Sequence, residues 1–264
     1  MPGICLLVFR LVALGFTILL VSVDYCLTVF LKRGENISYS RLGWVQRSSR
    51  SFLRVLNLEV SSRGMPPRRG LMVSNHLGYL DIIVYSSISP MIFVSKHEVR
   101  DWPVFGWLSA CAGTLFINRG RKQDVERVTG EMAHALSTGV VVALFPEGTS
   151  SDGRGVLPFR SSLLEPAASK GWPVCPACLT YRVAGGSAET DACYWGKMSF
   201  LPHLMKLLSK KAVYASVVFG TPVDGDSDRK LLASRLHREV VALRQSFYRG
   251  STNATGEALQ GLAR

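Results

Sequence analysis

The chain has 264 residues, 47% of them hydrophobic, which suffices for one α/β domain plus a membrane-attachment segment and excludes a disordered protein. Lys and Arg total 31 against 19 Asp and Glu, a formal charge of +12 that calls for an anionic partner: nucleic acid, an anionic membrane surface or phosphate-bearing substrates. The six cysteines (Cys5, Cys26, Cys111, Cys175, Cys178 and Cys193) are scattered, so no disulfide framework is read and a reducing compartment follows.

Residues 4–31 are apolar except for Arg10, Asp24 and a few small hydroxylated residues, while a span needs roughly 20 apolar residues. The segment belongs in or on a membrane, and no A-x-A-like site follows that would make it a cleavable signal. Arg10 and Asp24 fall within about 40° of each other on one helix face at about 100° per residue, so an interfacial helix competes evenly with a span. Lys32, Arg33, Arg41, Arg47 and Arg50 come next, which puts that side in the cytoplasm. Residues 1–33 are therefore expected to form a membrane segment.

Residues 41–60 carry Leu42, Val45, Phe52, Leu53 and Leu56 at helical spacing with arginines between them, as either an interfacial basic helix or an ordinary surface helix would. From residue 70 onward, "GLMVS", "MIFVS", "GTLFIN", "GVVVALF", "WPVCPACLTY" and "YASVVFG" read as strands, several apolar throughout as in a sheet covered on both faces. Helices are expected at 80–88, 122–138, 160–170 and 226–247, which makes residues 34–249 one α/β domain. The small, polar stretch 250–264 is expected to be a disordered tail.

Four strand ends carry chemistry. After "LMVS" stands His76, five residues ahead of Asp81, a spacing that suits a base and its orienting carboxylate. "GTLFINRGR" delivers Arg119 and Arg121 directly after a strand, where a guanidinium can grip a phosphate bidentately. "ALFPEGTSSDGRG" places Glu147, Gly148 and Thr149 in a turn whose amides can face an anion. "VCPACLTY" continues a fourth strand with a central proline. If the strands are neighbours, these loops converge on one pocket.

In this order and at these separations, the blocks resemble the glycerolipid acyltransferase family that includes bacterial 1-acylglycerol-3-phosphate acyltransferases. The family's N-H-x-x-x-x-D stands here as Asn75, His76 and Asp81, and its G-x-x-F-I-x-R as Gly113, Phe116, Ile117 and Arg119. Its F-P-E-G-T is Phe145 to Thr149, and its proline-centred strand is met by Val174 and Pro176. The stretch through Lys96, Glu98, Pro103 and Gly106 is also similar to the family's. The resemblance covers residues 40–247.

It implies a central mixed, largely parallel sheet flanked by helices, with an N-terminal membrane-associated helix. It further implies transfer of a fatty acyl group from acyl-CoA or acyl carrier protein to a lysophospholipid, foremost the sn-2 hydroxyl of 1-acyl-sn-glycerol 3-phosphate, with no cofactor. His76 would be the general base and Asp81 its orienter. Arg119 would hold the acceptor head group, with Glu147 and Gly148 shaping the opposite wall, Thr149 helping to position it and Asn75 fixing the loop. A carboxylate beside an anion is out of place, so Glu147 is expected to pair with an arginine or accept from a glycerol hydroxyl. The setting is the cytoplasmic face of a bacterial inner membrane, among anionic lipids.

One departure stands out. Many family members have arginine directly after E-G-T, whereas this chain has Ser150 and Ser151, leaving a phosphate ligand either missing or supplied by Arg154. That opens the way to another acceptor, such as a lyso-ornithine lipid. A non-catalytic protein binding anionic lipid shares the charge and the N-terminus but has no use for His76 and Asp81 beside Arg119. Cys175 and Cys178 have a redox spacing, yet lie in a strand pattern rather than at a helix N-terminus. The five histidines show no metal-ligand spacing, and no nucleic-acid module appears.

Overall fold

A computed structural model describes residues 2–31, 37–225 and 228–261. The apolar N-terminus forms α1, Pro2–Tyr25, prolonged by a π-helical turn at Cys26–Phe30. In chain order follow α2 (Ile37–Leu56), β1 (Leu58–Arg63), β2 (Leu71–Ser74), α3 (Leu80–Ile88), β3 (Ile92–Lys96), α4 (Phe105–Cys111), β4 (Leu115–Ile117) and α5 (Lys122–Ser137). Then come β5 (Val142–Leu144), α6 (Glu165–Lys170), β6 (Val174–Val183), α7 (Ala188–Asp191), α8 (Phe200–Leu208), β7 (Val213–Phe219) and α9 (Arg229–Gly261).

The strands make one seven-stranded sheet in the order β1-β7-β6-β2-β5-β3-β4. All neighbours are parallel except β6 and β7, which run antiparallel with Val183 opposite Val213. β2 lies at the centre, with Met72 opposite Ala143 of β5 and Cys175 of β6, and all four of its residues are buried. Alternate side chains supply two cores, as the twofold pleat demands. Met72 joins Leu80, Val84 and Leu207 beneath α3 and α8, whereas Leu71 and Val73 join Val128, Met132 and Leu236 beneath α5 and α9. That two-sided burial explains why the central strands read as unbroken apolar runs.

Three boundaries differ from expectation, the first being the helix read over 160–170, which begins only at Glu165 with Pro166 in its first turn. The helix read over residues 41–60 stops at Leu56; Asn57 takes a left-handed conformation (φ 47°), which asparagine tolerates better than most residues, and the chain re-emerges as β1. At the other end α9 continues to Gly261, so the stretch from Gly250 that was expected to be disordered is helical over most of its length. That stretch includes the helix formers Ala254, Glu257, Ala258 and Leu259.

α1 lies against the domain by the face that carries Arg10, Leu14, Thr17 and Val21. Arg10 is buried and donates to the carbonyls of Leu208 (3.1 Å), Lys210 and Lys211 (3.2 Å) at the end of α8. Asp24, on the same side, accepts from Nε and Nη2 of Arg47 of α2, and Trp44 Nε1 donates to the Val21 carbonyl at 2.8 Å. The opposite face, including Phe9, Val12, Phe16, Leu19 and Leu27, stands exposed. α2 is wedged between α1 and α3, with Trp44, Val45, Leu53 and Leu56 buried and its arginines at the rim.

Candidate active site

The site forms where β2 ends. Asn75 makes a reciprocal pair with β6, donating to the Leu179 carbonyl and accepting from the Leu179 amide, both at 2.9 Å. Its side chain thus supplies one more rung after the ladder stops, tying the start of the loop that carries His76 to β6.

Asp81 opens α3 and is fully buried. Its Oδ2 lies 2.7 Å from His76 Nδ1 and accepts from the amides of Leu77 (2.7 Å) and Gly78 (3.0 Å), while Oδ1 accepts from the Tyr181 hydroxyl at 2.9 Å. A carboxylate so placed can only accept, so Nδ1 carries the proton of the neutral imidazole and Nε2 keeps its lone pair. Nε2 has no partner among the described residues, and the side chain is 23% exposed. The ring stacks on Phe145, centroids 4.2 Å apart at 11°. The His76 ring is therefore held by Asp81 at Nδ1 and by Phe145 on its face, with Nε2 open.

The loop after β5 closes the next wall. The Ser151 amide donates to the His76 carbonyl at 2.9 Å, and the Arg160 amide to the Pro146 carbonyl at 2.9 Å. Gly148 has φ +77°, and a Cβ there would collide with Arg119 Nη1 and crowd Arg160 Nε; only glycine allows both the conformation and the approach. Arg119, from the end of β4, and Arg160 thus converge over Gly148. Neither has a carboxylate partner among the described residues, and Arg119 Nε is buried without any hydrogen bond. Burial and the Arg160 charge both lower the Arg119 pKa from its ordinary value, which an arriving anion would relieve.

Two expected residues stand elsewhere. Glu147 does not pair with an arginine: it is 3% exposed and turns beneath the loop, both oxygens shut off from solvent without a hydrogen bond. Burial pushes its pKa up to about 8, aided by the Asp81 charge and opposed by the nearby amides of Leu157 and His76. Arg154 is bound to Glu189 at 2.7 Å and borders a separate cavity with Leu77, Cys193 and Arg244. The second cation beside Arg119 is instead Arg160, in a small cavity with Phe145 and Pro146. Thr149 is exposed at the loop tip, and Arg121 precedes α5 at the surface.

Beside Tyr79, within the His76 loop, an apolar groove opens between α2, α3, α4 and β3, lined by Phe52, Leu80, Ile83, Phe93, Phe105 and Leu204 among others. Cys175 and Cys178 lie buried and unpaired on β6, their thiol pKa values pushed up to about 11 and about 12 by burial; neither is poised for redox chemistry.

Residues 54–180 match the family model described as Acyltransferase. Over 194 residues the chain is 38% identical to the lyso-ornithine lipid O-acyltransferase of Brucella abortus, covering 68% of this chain and 73% of that one. It is 31% identical over 179 residues to the 1-acyl-sn-glycerol-3-phosphate acyltransferase of Neisseria meningitidis, covering 67% and 70%. The crystal structure of the 1-acyl-sn-glycerophosphate acyltransferase from Thermotoga maritima superposes with a TM-score of 0.70 over 94% of this chain and 96% of that one; at 19% identity this establishes the shared fold.

Proposed function

The chain belongs to the acyltransferase family, and from that premise we propose that it moves a fatty acyl group from a thioester donor to the hydroxyl of a lysolipid, with His76 as general base. The observation that carries the reading is the open Nε2 of an Asp81-oriented histidine together with two guanidinium groups that have no carboxylate partner among the described residues. As the acceptor oxygen bonds to the thioester carbonyl carbon, His76 Nε2 takes the hydroxyl proton and Asp81 stabilises the imidazolium. When the tetrahedral intermediate collapses, the C–S bond breaks and the leaving thiolate recovers that proton from Nε2. No acyl-enzyme is needed, in keeping with the absence of a G-x-S-x-G nucleophile elbow from the sequence. The donor is acyl-CoA or acyl carrier protein, and the apolar groove receives an acyl chain.

For the acceptor we favour a lyso-ornithine lipid over 1-acylglycerol 3-phosphate. Ser150 stands where many family members have arginine, and Arg154 is committed to Glu189. That leaves Arg119 and Arg160, without the further guanidinium that many family members place beside a phosphate. Relatives with the lyso-ornithine lipid name reach 38% identity. The phosphate reading keeps the same base and grip.

Membranes carrying wild type or His76→Ala at equal protein level, given labelled acyl-CoA or acyl carrier protein with either lysolipid, decide the matter. Labelled ornithine lipid that disappears with His76→Ala is the expected result, the loss being about 10²–10⁴-fold. Product from lysophosphatidic acid alone would replace the acceptor, and no His76-dependent transfer to either would overturn the function.

Attachment is proposed to the cytoplasmic face of a bacterial inner membrane through α1 lying in the interface. Arg10 and Asp24, about 21 Å apart along the helix, both bind the domain, which favours a helix laid along it over one standing away across a bilayer.

A further inference from the structure

Acyl transfer through His76 uses one oxygen of Asp81; the other is held by the residue that ends the "VCPACLTY" stretch, to which the family resemblance gives no role. Tyr181 lies on β6, two residues beyond the Leu179 that clamps Asn75, and its hydroxyl donates to Asp81 Oδ1 at 2.9 Å. We propose that Tyr181 is a positioning residue, fixing the plane of the Asp81 carboxylate so that Oδ2 stays on His76 Nδ1 and tempering the basicity of the pair.

A carboxylate can turn about its terminal torsion and exchange its oxygens. Oδ2 is held by the Leu77 and Gly78 amides on the same loop as His76, so these bonds move with the loop. Tyr181 anchors Oδ1 from a different element, the strand that also fixes the start of the loop. β6 thereby sets both the base and its orienter. Each donor also withdraws charge from the carboxylate, so the proton shared with His76 stays on Nδ1. The other titratable groups whose charge acts on or near Asp81 are Tyr85 of α3, which is bonded to Ser74, Glu147 from the β5 loop, and Cys193 before α8; none of them hydrogen-bonds the carboxylate. The Tyr181 pKa is raised well above its ordinary value, by burial first and then by the Asp81 charge, as befits a hydroxyl that stays protonated.

The proposal rests on the acyl-transfer reading. The test compares full-length wild type with Tyr181→Phe in vesicles, measuring kcat, acceptor KM, thermal midpoint and the pH–rate profile. Expected are a fall in kcat of about tenfold, comparable to losing one charge-assisted hydrogen bond, and an acceptor KM within about twofold of wild type. The acid limb should move to higher pH, because a carboxylate with one donor fewer holds its neighbour's proton more tightly. Replacing Tyr181 by 3-fluorotyrosine, a stronger donor of similar size, should move that limb to lower pH, and this variant decides the matter if Tyr181→Phe does not accumulate. An unmoved kcat and acid limb with only a lowered thermal midpoint would reduce Tyr181 to packing and overturn the proposal. A wild type without His76-dependent transfer would instead sink the function reading, a result separate from an active enzyme whose Tyr181 variants behave like wild type.

Discussion

At the scale of single residues, Gly148 and Glu147 are neighbours whose side-chain positions meet different surroundings. Gly148→Ala would put a methyl group where Arg119 and Arg160 converge and force a left-handed backbone onto an L-residue, which costs roughly 1–2 kcal/mol. The acceptor KM is expected to rise about tenfold, as for one weakened charged contact, while the donor KM stays near wild type; steady-state assays varying each substrate check it. Glu147 makes a different prediction. Its carboxyl ionises near 4.5 when unperturbed but holds its proton to about 8 in the folded protein. Its contribution to stability is thus full below about pH 4.5 and lost as the pH climbs from there to about 8, by about 1.4 kcal/mol per pH unit at most. Thermal midpoints should show wild type losing ground to Glu147→Gln from about pH 5 to 8; parallel curves would mean the side chain is ionised and solvated. His76, Asp81, Asn75, Arg119 and Gly148 could be found in the sequence because each sits in a short motif. Arg160 and Tyr181 could not, since their roles depend on a loop folding back on Pro146 and on β6 lying beside β2.

At the scale of elements, the apolar runs named six of the seven strands, because a strand covered on both faces is marked by composition alone. β1 escaped because nothing but Asn57 separates it from α2. The pairing order escaped too: no local signal says that β6 neighbours β2 or that β7 turns antiparallel. The junction of α1 with α8 is likewise a tertiary fact, built on an arginine that the sequence marks only as a charge in an apolar helix. Arg10→Ala would strip donors from three carbonyls where α8 ends, the negative pole of its dipole. A loss of about 1–3 kcal/mol is expected, read as a lower thermal midpoint of the detergent-solubilised protein and faster proteolysis within α1. An unchanged midpoint would show that α1 is not held there.

For the molecule as a whole, the net charge of +12 and the exposed face of α1 act on a membrane in different ways. Charge attraction is screened at about 1 M salt, where the Debye length is about 3 Å, while apolar burial is not. Binding to anionic vesicles should therefore weaken with salt yet persist until detergent is added; full release by salt alone would make α1 a mere packing helix. An epitope at the N-terminus should be cut by protease added to inside-out but not right-side-out vesicles, and the reverse would establish a span. The loops also differ in what they commit the protein to. His76 and Asp81 are held by β2, α3 and β6 together with Phe145 and the Ser151 amide of the loop after β5, whereas the cations over Gly148 are Arg119 from the end of β4 and Arg160. On the proposed reading, replacing the Arg119 and Arg160 side chains, neither of which bonds His76 or Asp81 among the described residues, would redirect the enzyme toward another lipid while its proton chemistry is inherited intact, so a lineage can acquire new substrates without passing through an inactive ancestor.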